Sequence, residues 1–241
     1  MDIVDVDGIH AARKFIKQGL GRSLQPLFLA RYSELNDESA YQKSAAAMAN
    51  RSLKNICLSY LLDTNQGEAR AAGQLASSDN MTDTLAALRG LIFSGSELAA
   101  GALVEFESKW IDDALVMDKW FIMQAIVPGG ETVKKVQALM EHPAFSIRNP
   151  NKVRALLGVF SMLNQTGFHD ISGSGYQFHA DRVIELDAVN PQIAARMASA
   201  FNRWKRYDET RKSMMKEQLQ RIAAADGLSG DVTEIVNSAL K

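Results

Sequence analysis

The stretch "NPQIAARMASAFNRWKRYD", residues 190–208, decides the fold class. Counted in steps of three and four from Asn190, the residues Ile193, Met197, Phe201 and Trp204 fall on one apolar face, the spacing of a helix that buries one side. Asn190 before Pro191 marks its start, because an Asn side chain can accept from first-turn amides and Pro at the first position gives up no hydrogen bond. One helix is expected across the whole stretch. Gln192, Arg196, Ser199 and Arg203 form the polar stripe beside the apolar seam. That stripe is either a solvated surface or, since a guanidinium on a rigid helix offers a fork of donors, the wall of a groove for an anion or a peptide.

The same periodicity runs outward in both directions. Only 5 prolines and 16 glycines punctuate the chain, and between them apolar residues recur at three and four rather than at two. Residues 10–35 read as an opening helix interrupted near Gly19 or Gly21, followed by a second helix that ends about Leu35. A longer helix is expected from about Glu38, with Met48, Leu53, Ile56, Cys57, Tyr60 and Leu61 on or near one side. Short helices follow over 67–78, 80–95 (capped by Asn80 or Thr82), 96–111, 115–127 and 131–142. Helices over 149–163 and 173–189, the quoted stretch, and 208–225 and 229–241 complete the chain, with Asn149 and Ser229 as further starts. Each is too short to stand alone, so the expected fold is all-α: stacked helical pairs in an α-solenoid, an ARM/HEAT-like superhelix without a β-sheet, as a single helical domain over 1–241. No strict sequence period appears, so the pairs are not consensus repeats.

Composition bounds the function. With 46% hydrophobic and 23% charged residues over 241 positions, the chain can bury a substantial core. Lys plus Arg at 27 against Asp plus Glu at 28 gives a net charge of −1, so no global field draws in nucleic acid or an anionic membrane. The single Cys57 fits a reducing compartment. The N-terminal "MDIVDVDGIH" carries acids where a secretory signal carries bases, and no apolar run of roughly 18 residues occurs. Cytoplasm is the expected location, with neither nucleic acid nor membrane as a partner.

No catalytic set emerges from the residues. A hydrolytic zinc site needs paired imidazoles and a carboxylate, as in H-E-x-x-H, but His10, His142, His169 and His179 are scattered. "SGSGYQF" (172–178) matches neither phosphate-loop spacing and reads as a helix start anchored by Tyr176 and Phe178. Cys57 lies on an apolar stripe without a partner base. The basic cluster "WKRYDETRK" (204–212) is diluted by Asp208 and Glu209. From residue chemistry alone the chain is a binding or structural module, with no catalytic and no metal-ligating residues.

Four stretches in order carry a resemblance: "NMTDTLAALRGL" (80–91), "KWIDDALVMDKWFIMQA" (109–125), "HPAFSIRNPNKVRALLGVF" (142–160), and "GSGYQF…NPQIAAR…RWKRYD" (173–208). With the ending "LSGDVTEIVNSALK" they resemble the C-terminal helical domain of the aminopeptidase N family of zinc metallopeptidases, of bacterial and plant type. The resemblance implies a longer parent with an N-terminal β domain, a thermolysin-like catalytic domain holding zinc and a small β domain, none of them within these residues. It implies a lid that encloses the active site and limits access to short peptides, leaving the 241 residues inactive by themselves and without zinc. It also implies that Gln192 and Arg196 reach toward the pocket for the substrate's N-terminal side chain, and Arg154 toward the peptide's far end. The catalytic domain of the same polypeptide and peptide substrates are the implied partners. Gln165 in "NQTGFH", where relatives often carry proline, and "HDIS" depart from the pattern locally. The reading from another class is a free-standing helical-repeat scaffold that binds a protein or peptide along a concave face. An independent hydrolase built on His169 and His179 ranks below both, because no nucleophile or metal set completes it.

Overall fold

Side chains that the capping rules favour stand just before helices and accept hydrogen bonds from first-turn amides: Ser44, Asn80, Asp113, Asn149, Asn164, Asn190, Asp208 and Ser229. The structure, a computed structural model, describes residues 2–36 and 41–241. The described helices are α1 (Val6–Ser23), α2 (Gln25–Leu35), α3 (Ala45–Leu61), α4 (Gly67–Ser77), α5 (Met81–Ser94), α6 (Leu98–Trp110), α7 (Ala114–Ala125) and α8 (Thr132–Met140). After them come α9 (Pro150–Val153), α10 (Val159–Leu163), α11 (Gln165–Phe168), α12 (Ser174–Asp187), α13 (Pro191–Ala198), α14 (Glu209–Ala223) and α15 (Gly230–Leu240). A π-helical turn, Arg154–Gly158, joins α9 to α10. Among the described residues no β-strand forms, and Val4 and Tyr207 meet in an isolated parallel bridge.

The chain falls into two compact units, His10–Lys109 and, together, Met1–Ile9 with Trp110–Lys241. In the unit spanning 10–109, α2 packs on α3 and α4 on α5, and α3 also touches α4 and α5. Leu58, Leu61, Ala71, Leu88 and Leu91 are buried between them. A polar cluster crosses this core: Lys54 Nζ lies 2.8 Å from Asp83 Oδ2, and Asn55 Nδ2 donates to Asp83 Oδ1 at 2.8 Å. Gln74 donates to Asn55 Oδ1 and to Asp83 O, and accepts from the Tyr32 hydroxyl. Each buried charge therefore has its partner, the condition under which burial is tolerated. Gly95, at φ +70°, ends α5 by returning its own amide and that of Ser96 to the carbonyls of Ile92 and Leu91, a conformation that favours glycine.

In the other unit the core is aromatic. Phe121, Phe160, Phe168, Tyr176 and Phe201 are fully buried, and Phe168 meets Phe160, Tyr176 and Phe201 at ring-centroid distances of 6.1, 5.2 and 5.9 Å. Helix α12 packs on α13 and α14, and α15 covers both of those. Gly175 lets α12 begin against the preceding turn, since a Cβ there would sit 2.5 Å from the Phe168 carbonyl oxygen.

Four expectations are corrected. The break in the opening helix falls at Leu24 rather than at Gly19 or Gly21, because Pro26 sits in the first turn of α2 and lacks an amide to continue the ladder. Helix α3 begins at Ala45, where the Ser44 hydroxyl accepts from Ala47 N; Glu38, the expected start, lies outside the described residues. Its buried face is Lys54, Cys57, Leu58 and Leu61, while Met48, Leu53 and Ile56 are exposed. The quoted stretch 190–208 is not one helix: α13 ends at Ala198 and two 3₁₀ turns follow, Ser199–Phe201 and Trp204–Arg206. At that end of α13 the His179 Nε2 donates to Met197 O at 2.9 Å.

Candidate functional site

Helix α13 holds Gln192 and Arg196 of the polar stripe. Asn190 Oδ1 accepts from Ile193 N at 3.2 Å, and the seam of Ala194, Met197 and Ala198 is buried against the core. Phe201 and Trp204 continue that seam although the backbone has left the α-helix, and the Trp204 indole N–H donates to Ala239 O at 2.8 Å. Gln192 and Arg196, four residues apart, share the outward face and are exposed. The Ser199 hydroxyl donates to Arg196 O at 2.6 Å, so the last turn beneath Arg196 is tied down.

His179 fixes α13 to α12. Its ring is wholly buried, between Phe168 at 5.3 Å and Phe201 at 5.5 Å, and since Met197 O only accepts, Nε2 must carry the proton. Burial holds its pKa down at about 4, partly opposed by the bond to the Met197 carbonyl. The neutral ring is thus a fixed donor. His169 also sits near pH 4, through burial and then the Arg211 charge, with Nδ1 2.8 Å from the Tyr176 hydroxyl and Nε2 3.0 Å from that of Tyr207. Arg211 binds the His169 carbonyl at 2.6 Å, Asp208 at 2.8 Å and Asp7 at 2.6 Å, and Val4 N donates to Arg206 O at 2.7 Å. The two histidines contact the same Phe168 ring but serve separate structural bonds and do not combine into a catalytic pair.

Arg154 opens the π turn and is exposed; its Nε donates to Pro150 O at 3.0 Å and its Nη2 to Asn151 Oδ1 at 2.9 Å. A π turn inserts a residue and so rotates the helical segment before it against the segment after it. Here it is pinned from below by Lys152, only 5% exposed, whose Nζ lies 2.8 Å from Asp118 Oδ1, donates to Ala114 O at 2.7 Å and stands 5.6 Å over the Phe121 ring. A Cβ built on Gly158 would lie 3.8 Å from Met197 Sδ and 4.0 Å from Arg154 Cβ, so Arg154 and α13 border the same glycine. Neither Lys152 nor the π turn stands out in the sequence. Their trace there is a lone acid in the apolar run "LVMDKWF" and a lone base beside Val153, two charges that only a mutual pairing makes tolerable inside a core.

Cys57 is 2% exposed and burial pushes its thiol pKa up, with Arg31 pulling the other way, so it packs as a small hydrophobe. Among the described residues no group of three or more His, Cys, Asp or Glu side chains is placed to hold a metal ion, and no helix is long and apolar enough to cross a membrane.

Comparison with known proteins places these features in a family. Residues 1–241 match the family described as "Domain of unknown function (DUF3458_C) ARM repeats". The chain is 41% identical over 240 residues to aminopeptidase N of Haemophilus influenzae, covering 99% of this chain and 27% of that one. It is 35% identical over 241 residues to aminopeptidase N of Escherichia coli, covering 99% of this chain and 28% of that protein. A crystal structure of Legionella pneumophila aminopeptidase A in complex with aspartic acid superposes with a TM-score of 0.90 at 32% identity, covering all of this chain and 29% of its own. The chain therefore spans between a quarter and a third of the length of the relatives it matches. The stacked helical pairs read from apolar spacing are the ARM-repeat class, and the chain belongs to the DUF3458_C family, homologous to the C-terminal part of aminopeptidases.

Proposed function

We propose that the chain is the lid and cavity-wall part of a zinc aminopeptidase, a hydrolase that releases N-terminal residues from peptides. In this reading Gln192 and Arg196 reach toward the substrate's N-terminal side chain and Arg154 toward the peptide's far end. The observation that carries it is the division of α13, whose Ala194, Met197 and Ala198 are locked into the core while Gln192 and Arg196 stay exposed on a fixed helix. A rigid guanidinium donates to a carboxylate or carbonyl, and Gln both donates and accepts.

In this reading the zinc and its chemistry belong to the catalytic part of the parent polypeptide, and no step of hydrolysis is assigned to the residues of this chain. In this reading the 241 residues by themselves are inactive, their partners are the catalytic part and peptide substrates, and the setting is cytoplasmic, to which the single cysteine of these residues is suited.

The test compares this chain with the complete polypeptide, on an alanyl fluorogenic substrate and by zinc content. Turnover and zinc in the long form with neither in the short one is the expected result. In the complete polypeptide Arg196→Ala then changes the ratio of kcat/KM between two peptides about tenfold, the worth of one charge-assisted hydrogen bond, at unchanged zinc. Zinc and turnover in the 241 residues overturn the reading, and inactivity of both forms favours the helical-repeat scaffold.

A further inference from the structure

Arg154 is an exposed arginine whose guanidinium is held in place without being neutralised. Arg31, Arg182, Arg211 and Arg221 each lie 2.5–2.8 Å from a carboxylate oxygen. Arg154 has no such acid among the described residues, and its two acceptors, Pro150 O and Asn151 Oδ1, are both neutral. A guanidinium carries five N–H donors in one plane. Nε gives its only one to Pro150 O, and Nη2 gives one of two to Asn151 Oδ1. Both N–H of Nη1 and the second of Nη2 remain, and a fork of this kind matches the two oxygens of a carboxylate. The backbone behind the guanidinium is fixed as well: Asn149 Oδ1 accepts from Asn151 N at 2.9 Å, and Val159 N closes the π turn on Arg154 O.

We propose that Asn151 is a positioning residue for Arg154, holding its guanidinium so that the remaining fork meets the terminal carboxylate of a short peptide. The inference rests on the reading of Arg154 given above and adds a substrate class to it, peptides with a free C-terminus over those blocked as amides. A long exposed side chain loses rotamer freedom when it binds, and one oriented beforehand has already lost it. Asn is suited to this where Asp is not. A carboxylate at position 151 keeps an acceptor in reach of Nη2 but cancels the charge that a peptide carboxylate is drawn to. A neutral acceptor orients the guanidinium and leaves its charge whole.

The test is steady-state kinetics of the complete polypeptide on trialanine as the free acid and as its C-terminal amide. The unmodified protein is compared with Arg154→Ala, Asn151→Ala and Asn151→Asp. Asn151 is exposed and its side chain bonds only Arg154 among the described residues, so both of its variants keep the fold. In Asn151→Ala the KM of the free acid is expected to rise about fivefold, with kcat and the KM of the amide within about twofold. Asn151→Asp is expected to raise the same KM at least as much. An equal rise for acid and amide marks a merely structural role and overturns the proposal. Asn151→Ala without effect overturns it too, and if Arg154→Ala still abolishes the preference for the free acid, the reading of Arg154 stands. A preference for the free acid that is absent, or that survives Arg154→Ala, overturns both.

Discussion

Lys152→Met tests the anchor beneath Arg154. Lys152 is 5% exposed and its Nζ is committed to Asp118 Oδ1 at 2.8 Å and to Ala114 O at 2.7 Å. Removing it strands the Asp118 carboxylate, whose side chain is only 17% exposed, and breaking a buried pair from one side costs roughly 3–5 kcal/mol. Met has a similar reach and keeps the apolar contact with Phe121, so little cavity is added. The Ala114 carbonyl can turn to water, because Ala114 is exposed. The expected loss is therefore at the lower end, about 3 kcal/mol, which for a chain of this size corresponds to a fall in Tm of roughly 6–12 °C. Circular dichroism melts and urea unfolding at pH 7 provide the measurement. Lys152→Met combined with Asp118→Leu removes both charges and is expected to recover at least half of the loss, since the stranded charge rather than the missing contact dominates. A melt of Lys152→Met within about 2 °C of the unmodified chain, or a double variant as unstable as the sum of the singles, refutes the reasoning.

Two other consequences concern the aromatic unit. His169 and His179 are held at about 4 from an ordinary 6.5, so the folded chain keeps them neutral while the unfolded chain protonates them; their stabilisation is complete above pH 6.5 and is lost as the pH falls toward 4. The full change is on the order of 3 kcal/mol for each, and proton-resonance titration should find both rings still neutral at about pH 5.5; charged rings in the folded protein at that pH contradict the assignment. Gly175→Ala forces a Cβ to within 2.5 Å of the Phe168 carbonyl and 3.0 Å of the Gly167 carbonyl, both backbone. A loss of about 2 kcal/mol in urea unfolding is expected, and an unchanged midpoint would show that α12 shifts without cost.

Much of the chain was legible because its information is local. Asn80, Asn149, Asn190 and Ser229 cap the helices their positions announced, and Tyr176 and Phe178 anchor the start of α12 from inside the core. The candidate site was legible only as a pattern on α13, where Gln192 and Arg196 share a face by spacing alone. The approach of Met197 on α13 to Gly158 of the π turn was not legible, since it joins positions about forty apart whose meeting no local period encodes. Lys152 escaped notice for a related reason: a single Lys in a helix reads as surface until its partner Asp118 is found on α7.

By itself the sequence determined the all-helical class, the helix starts at Asn80, Asn149, Asn190 and Ser229 and the apolar seam from Ile193 to Trp204, because capping and three-to-four spacing depend on neighbours along the chain. Only tertiary structure decided where helices stop and which way they face. His179 donates to the Met197 carbonyl in the last turn of α13, and the Lys152 anchor holds the turn from which Arg154 projects. The amphipathic stripe of α1 is turned outward although its spacing would suit a buried face equally well. A helical period states that one side is apolar; what that side meets is set by groups far away in sequence, and a hydrogen bond or ion pair worth a few kcal/mol is enough to choose.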